Sequence, residues 1–249
     1  MAELYDMHCH LGFFKYPLKA AEYLGAHGID CLSATVMPGE YARMVNLMEG
    51  QSNVRVGLGL HPWWIADGRC DVADLELFER LAPGTAFIGE VGLDFSGGRD
   101  ASKRFQIEAF ERVLSCIDAG STVSIHVLAA YDEVLDALER SGRAADCSCI
   151  FHRFAGPFDR LQRALALGCS FSFNMRGLAA KRGRASAQAI PAGRVLLETD
   201  LPSMAGQHLQ YADLESQLKA ARCELQGIAG ADWVEACDTS STMLLGLQS

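Results

Sequence analysis

Five of the seven histidines fall at the ends of short apolar runs: His8 and His10 in DMHCH, His61 in GLGLHP, His126 in VSIHVL and His152 in CIFHRF. Acids fall in the same kind of place, with Glu90 and Asp94 in FIGEVGLDF and Asp200 in VLLETD. An i, i+2 spacing in an extended chain sends His8 and His10 to one side. Singly, each residue has an ordinary explanation as a hydrogen-bonded histidine, a helix cap or an ion-pair partner, and His27 and His208 are left in that class. Jointly, several imidazoles and carboxylates converging on one rim would be costly to bury without compensation. A metal ion is the natural compensation. Mixed nitrogen and oxygen donors suit Zn²⁺, Mn²⁺, Fe²⁺ or Ni²⁺ better than Ca²⁺, and a bridging carboxylate would allow two ions.

The apolar runs that carry these residues read as strands: Leu4–Cys9, Ile29–Val36, Val54–Leu60, Ala86–Val91, Thr122–Val127, Cys147–Phe151, Cys169–Phe173 and Arg194–Glu198. Most are continuous rather than alternating, as parallel strands covered by helices require. Amphipathic segments separate them, clearest over Ser102–Ala119, with Asp132–Arg140 and Pro157–Ala166 of the same kind. The stretch Tyr211–Gly246 reads as helical with a break near Gly227–Gly230. Eight strand–helix units in about 250 residues make a (β/α)8 TIM-like barrel the expected fold. A doubly wound sheet gives a similar alternation. In a barrel, the histidine-bearing strand ends share the face where active sites are built. No linker divides the chain, so one domain over 1–249 is expected.

Composition narrows the function. Lys+Arg of 22 against Asp+Glu of 31 leaves a net charge of −9, which disfavours stable binding along duplex DNA. A small polyanion held by metal ions stays compatible. The nine cysteines are scattered through apolar runs, with only Cys147 and Cys149 close together, on one face of a strand; they read as free thiols of a reducing cytoplasm. MAELYDMHCH has neither the basic start nor the apolar core of a signal peptide. No stretch reaches the ~18 apolar residues of a membrane span.

DMHCHLG, GLHP, GEVGLDF, IHVLAAYDEVL, FHRFAGPFDRL and LLETDLP, in this order, resemble the TatD family of metal-dependent hydrolases, which belongs to the amidohydrolase-type barrels. The likeness runs from Tyr5 to about Pro202. It implies that His8, His10, Glu90 and Asp200 hold one ion, that Glu90, His126 and His152 hold the other, and that Glu90 bridges. It also implies phosphodiester hydrolysis, typically nuclease activity trimming DNA ends, in the cytoplasm. Departures from the pattern gather around the metal residues. Leu128 stands where a basic residue is usual, Trp63 where a second histidine follows His-Pro, and Arg153 and Ala155 replace the Cys and Ser of HCFSG. SFNMRG, SMAGQHLQ and DTSSTMLLG also differ from the family's segments.

The expected enzyme is thus a metal-dependent hydrolase using one or two divalent ions (Zn, Mn, Mg, Fe or Ni). Its substrate is a phosphodiester, either a small molecule or a nucleic-acid end. Asp200 is the expected proton acceptor for the attacking water, with Glu90 beside it. His61, Trp63, Arg153 and Arg176 are the candidate substrate contacts, and Asp94 is read as orienting a loop. Strand alternation turns Arg153 away from His152, which favours Arg176 as the phosphate contact. The basic group Arg176, Lys181, Arg182 and Arg184 is either a solvated helix face or a landing site for phosphate. Trp63 and Trp64 either stack on a base or sugar or lid the barrel. Two alternatives share the metal centre: an amide, lactone or small phosphoester hydrolase, and a metal-binding protein with an eroded substrate shell.

Overall fold

Eight parallel strands follow one another in chain order round one sheet: β1 (Leu4–Cys9), β2 (Ile29–Ala34), β3 (Val54–Leu60), β4 (Phe87–Asp94), β5 (Thr122–Leu128), β6 (Ser148–Phe151), β7 (Ser170–Phe173) and β8 (Val195–Leu197). Helices sit between them, among them Pro17–Ala26, Pro38–Leu47, Val72–Leu81, Lys103–Cys116, Tyr131–Ser141, Phe158–Ala166 and Lys181–Ala189. This is a nearly closed (β/α)8 barrel. The computed structural model describes residues 4–247; residues 1–3 and 248–249 of the expected domain lie outside the described residues.

Among the described residues, β8 and β1 share no ladder. Two backbone hydrogen bonds beyond the end of β8 bring the edges together instead: Asp200 N donates to His8 O at 2.8 Å and His10 N to Leu201 O at 2.9 Å. The gap is closed at its upper end by residues of the candidate site themselves.

The interior changes character along the barrel. Met7, Leu32, Ile150 and Leu196 pack together low down with Leu245, which follows the last helix. Two residues above Ile150 and Leu196, His152 and Glu198 begin a polar layer that includes Asp6, His8, Ser124 and Ser172, each at most 5% exposed. The register of β4 slips between Ile88 and Glu90, making Gly89 an extra residue. A bulge of this kind bends a strand and re-aims the side chain that follows, here Glu90. Gly57 and Gly89 permit the accompanying close approach of β3 and β4, since a Cβ on Gly57 would lie 2.7 Å from Gly89 Cα.

Element ends moved where tertiary contacts override local pattern. β4 runs on to Asp94, while β8 stops before Glu198. The helix expected over Ser102–Ala119 ends at Cys116, because Ile117 turns extended to reach β5. Pro157 caps its helix from outside the first turn. The last helical stretch breaks at Gly230, whose φ of 93° suits glycine, into Tyr211–Ala229 and Ala231–Leu244. Cys147 lies just outside β6, so the two clustered cysteines do not share a strand face. All nine cysteines are free, and most are buried. No described helix is long and apolar enough to cross a membrane.

Candidate metal centre

His8 and His10 bring their Nε2 atoms to 3.3 Å from one another, as the strand spacing requires. His10 Nε2 lies 3.3 Å from Glu90 Oε2 and 3.3 Å from Asp200 Oδ1. On the other side of Glu90, Oε1 lies 2.7 Å from His126 Nδ1, 2.9 Å from His152 Nε2 and 2.9 Å from His61 Nε2. His8, His10 and Asp200 offer donor atoms all within 4.8 Å of one another, as do His61, Glu90 and His126. Glu90 therefore touches both groups. All six residues expected as ligands converge on one cleft at the C-terminal mouth of the barrel.

In three of the imidazoles the far nitrogen is engaged outside the cleft. His10 Nδ1 donates to Ala34 O at 3.0 Å, His126 Nε2 to Asp94 Oδ2 at 3.0 Å, and His8 Nδ1 meets Ser124 Oγ at 2.7 Å. Anchored this way, His10 and His126 turn Nε2 and Nδ1, respectively, into the cleft, where each is a lone-pair donor when the ring is neutral and a hydrogen-bond donor to a carboxylate when it is protonated. His61 is the exception. Its Nδ1 accepts from Trp63 N at 2.9 Å, so Nε2 carries the hydrogen and donates to Glu90. It orients Glu90 rather than offering a lone pair.

The charge balance agrees. Burial would raise the Glu90 carboxyl, yet the imidazoles of His61 and His152 and hydrogen bonds from His10 and His126 hold it well below the ordinary range. Burial also opposes protonation of His10 and His126, but the carboxylates win. His10 is pushed well above the usual imidazole value by Asp200 and Glu90, and His126 up to about 9 by Asp94 and Glu90. His8 moves the other way, to about 4, through burial and the charge of His152. The cleft thus draws positive charge to two places, one on each side of Glu90. Buried, convergent nitrogen and oxygen donors with anchored outer nitrogens fit divalent metal ions well.

The other expected residues are placed as follows. Asp94 Oδ1 accepts from Ser96 N and Oγ at 2.8 and 2.6 Å, and Oδ2 takes the Trp63 indole N–H as well as His126. It orients both a loop and a histidine. Trp63 lies edge-on to His61 and His126 with the Arg99 guanidinium over its ring, a packed lid on the cleft. Trp64 stacks with Phe13 and carries Arg69 on its face. Leu128 stands 42% exposed at the rim. Arg153 departs from the expected direction. β6 ends at Phe151, and a φ of 45° at Arg153 breaks the alternation. Its Nη1 then reaches Asp200 Oδ2 at 2.6 Å. Arg176 is exposed and lines a neighbouring cavity with Arg153. Lys181 is exposed as well, whereas Arg184 pairs with Glu224.

Two buried acids beside the site were not singled out from the sequence. Glu198 groups with His8 and His152, accepts from Arg153 N at 2.9 Å and from Ser172 Oγ at 2.5 Å, and is raised well above the carboxylate range by burial and by Asp200. His152 Nδ1, 3.9 Å away, has no hydrogen-bond partner among the described residues. Asp6 accepts from Thr199 N and Oγ1 at 2.9 and 2.6 Å and ties β1 to the segment after β8. Each lies two residues before an expected ligand, Asp200 or His8, and that spacing is the signal that would have found them.

The profile of a family described as TatD related DNase matches residues 5–236. The uncharacterized metal-dependent hydrolase YcfH of Escherichia coli K12 is 30% identical over 220 residues, 81% of this chain and 78% of its own. The 3'-5' ssDNA/RNA exonuclease TatD of Edwardsiella piscicida is 35% identical over 157 residues, 61% of this chain and 57% of its own. Among solved structures, the TatD homologue YJJV of E. coli K12 superposes with a TM-score of 0.83 at 21% identity, covering 98% of each chain. The phosphotriesterase homology protein of E. coli, solved with phosphate in its active site, gives 0.66 at 15% identity over 96% of this chain and 97% of its own.

Proposed function

The chain belongs to the TatD-related DNase family of metal-dependent hydrolases, and from that premise we propose that it cleaves phosphodiesters, at nucleic-acid ends or in small molecules, as one barrel domain in the cytoplasm. The observation that carries this reading is that His8 and His10 approach one oxygen of Glu90 while His126 and His152 approach the other, in a cleft open at the barrel mouth. The exonuclease named among the relatives acts on single-stranded DNA and RNA, which supports a strand end over duplex as substrate. The net charge of −9 points the same way.

In this reading His8, His10, Glu90 and Asp200 hold one ion, and Glu90, His126 and His152 the other. When bound, such ions would acidify a coordinated water and polarise the scissile phosphodiester. The remaining work falls to the protein. Asp200 Oδ2 is engaged by Arg153, which leaves Oδ1 to orient the attacking water and take its proton. His61 Nε2–H fixes the Glu90 carboxylate, and Asp94 fixes the His126 ring. Trp63 closes one side of the cleft against bulk water. The deciding experiment is a substrate panel on metal-analysed protein: bis(p-nitrophenyl) phosphate, single-stranded DNA, and neutral lactones or amides. Turnover of the phosphodiesters is expected. Turnover of the neutral substrates alone would replace this reading.

A further inference from the structure

Beside the metal cleft, between the loops that follow β6 and β7, lies a second cavity of about 230 Å³. Arg153 lines both spaces, so they are neighbours across one side chain. Phe154 and Phe173, both buried, supply the apolar part of the lining, and Arg176 and Arg182, both exposed, belong to its polar part. Gly177 adds no side chain to the lining; a Cβ there would stand in van der Waals contact with Asn174 Oδ1 at 3.4 Å and Phe173 Cδ1 at 3.9 Å, and a longer side chain would extend along this wall.

The charge pattern is the telling feature. The arginines around this region are paired with acids: Arg153 with Asp200, Arg160 with Asp132, Arg163 with Asp136 and Glu139, and Arg184 with Glu224. Among the described residues, Arg176 and Arg182 have no carboxylate within ion-pair distance, in a chain with 31 acids and 22 bases. Two free guanidinium groups on one partly apolar cavity match a group with several anionic oxygens on an organic body. Phosphate meets this description better than a carboxylate, which one guanidinium can satisfy with two parallel hydrogen bonds.

We infer that this cavity is a subsite for a terminal phosphomonoester of the substrate, one unit away from the bond cleaved at the metal centre. The inference rests on the phosphodiesterase reading and narrows it to substrates with a phosphorylated end. The cavity takes one such group, not a strand. A phosphorylated dinucleotide and a phosphorylated single-stranded oligonucleotide present the same chemistry.

One arm of the test needs no turnover. Chelator-stripped protein is titrated calorimetrically with thymidine 5'-monophosphate and with thymidine. The monophosphate should bind saturably and the nucleoside about tenfold more weakly or worse, and Arg182→Ala and Gly177→Val should each weaken the monophosphate about tenfold. Binding equal for the two ligands, or indifferent to both substitutions, overturns the subsite. Arg182 is exposed, so its substitution tests the charge with no folding penalty. In the second arm, metal-loaded protein is given dithymidylate and single-stranded oligothymidylate, each with and without a terminal phosphate at the 5' or 3' end. The ratio of kcat/KM for phosphorylated over unphosphorylated substrate should exceed about ten and fall toward one in both variants. Preference in the dinucleotide alone assigns the subsite to small substrates, and preference in both assigns it to strand ends. Cleavage without preference removes the subsite and leaves the proposed function. Monophosphate binding intact with neither ester cleaved removes the proposed function, and with it the subsite's place in that reaction, leaving only a monophosphate-binding cavity.

Discussion

Arg153 donates to Asp200 Oδ2 at 2.6 Å while Asp200 Oδ1 faces His10 Nε2 at 3.3 Å. One carboxylate is thus gripped by a guanidinium on one side and turned toward the candidate ligands on the other. Arg153→Ala should lower kcat/KM by about 5- to 150-fold, the kinetic equivalent of a charge-assisted hydrogen bond of about 1–3 kcal/mol. Arg153→Lys keeps the charge but not the planar fork and should recover only part of it. Steady-state kinetics on variants with matched metal content checks this. An unchanged kcat/KM in Arg153→Ala would show that Asp200 is oriented without it.

Glu90 approaches His10 with one carboxylate oxygen and His126 with the other. Glu90→Gln should leave the protein with one equivalent of metal or less, read by elemental analysis after loading and desalting. Retention of two equivalents would end the bridging assignment.

Asp200→Asn preserves shape and removes the proposed proton acceptor. Turnover should drop about 10²–10⁴-fold, the usual weight of general acid–base participation, with most of the metal and the melting temperature kept. A loss of less than about tenfold with the metals still bound would take Asp200 out of the chemistry.

Glu198 anchors the Arg153 backbone N–H and sits beside the unpartnered Nδ1 of His152. Glu198→Ala should weaken metal affinity about 10- to 100-fold, as loss of a group that orients ligands does. Competition against a chromogenic chelator measures it. Unaltered affinity would mean that His152 is held by packing on His8, whose ring it stacks on at 4.1 Å.

Chelation should abolish activity, and Mn²⁺, Zn²⁺ or Mg²⁺ should restore at least part of it. The ions should also stabilise the fold. Metal at about 100 times its dissociation constant contributes about 2.7 kcal/mol, which in a domain of this size raises Tm by roughly 5–11 °C. Calorimetry with and without metal reads the shift. Identical curves would mean that the cleft holds no ion tightly.

The eight strands were legible because parallel strands buried on both faces leave continuous apolar runs. The histidines were legible because a barrel gathers its strand ends on one side. Glu198 and Asp6 were hidden by the same logic: in the polar layer of a barrel an acid can be fully buried between apolar neighbours, and the runs around it still read as ordinary strand. Arg153 was misdirected because alternation presumes extended backbone, and a positive φ at that residue reverses the side it faces. The end of β4 at Asp94 was missed because Gln106, from the following helix, binds both the N–H and the C=O of Asp94 at 2.8 and 2.9 Å. No local pattern announces that partner.

The gap between β8 and β1 joins the site to the integrity of the barrel. The amides of Asp200 and His10, which bring the two edges together, belong to the residues that face each other across the cleft. Local opening starts where backbone pairing is thinnest, so this seam is where the barrel would first unzip, and the cleft would come apart in the same motion. A cation gripped by His8 on the first strand and Asp200 after the last would act as a clasp on a hoop otherwise held there by two backbone hydrogen bonds and the Asp6–Thr199 contact. Amide hydrogen exchange at Asp200 and His10 would then slow with loading, and the hoop would be shut whenever the site is ready to work.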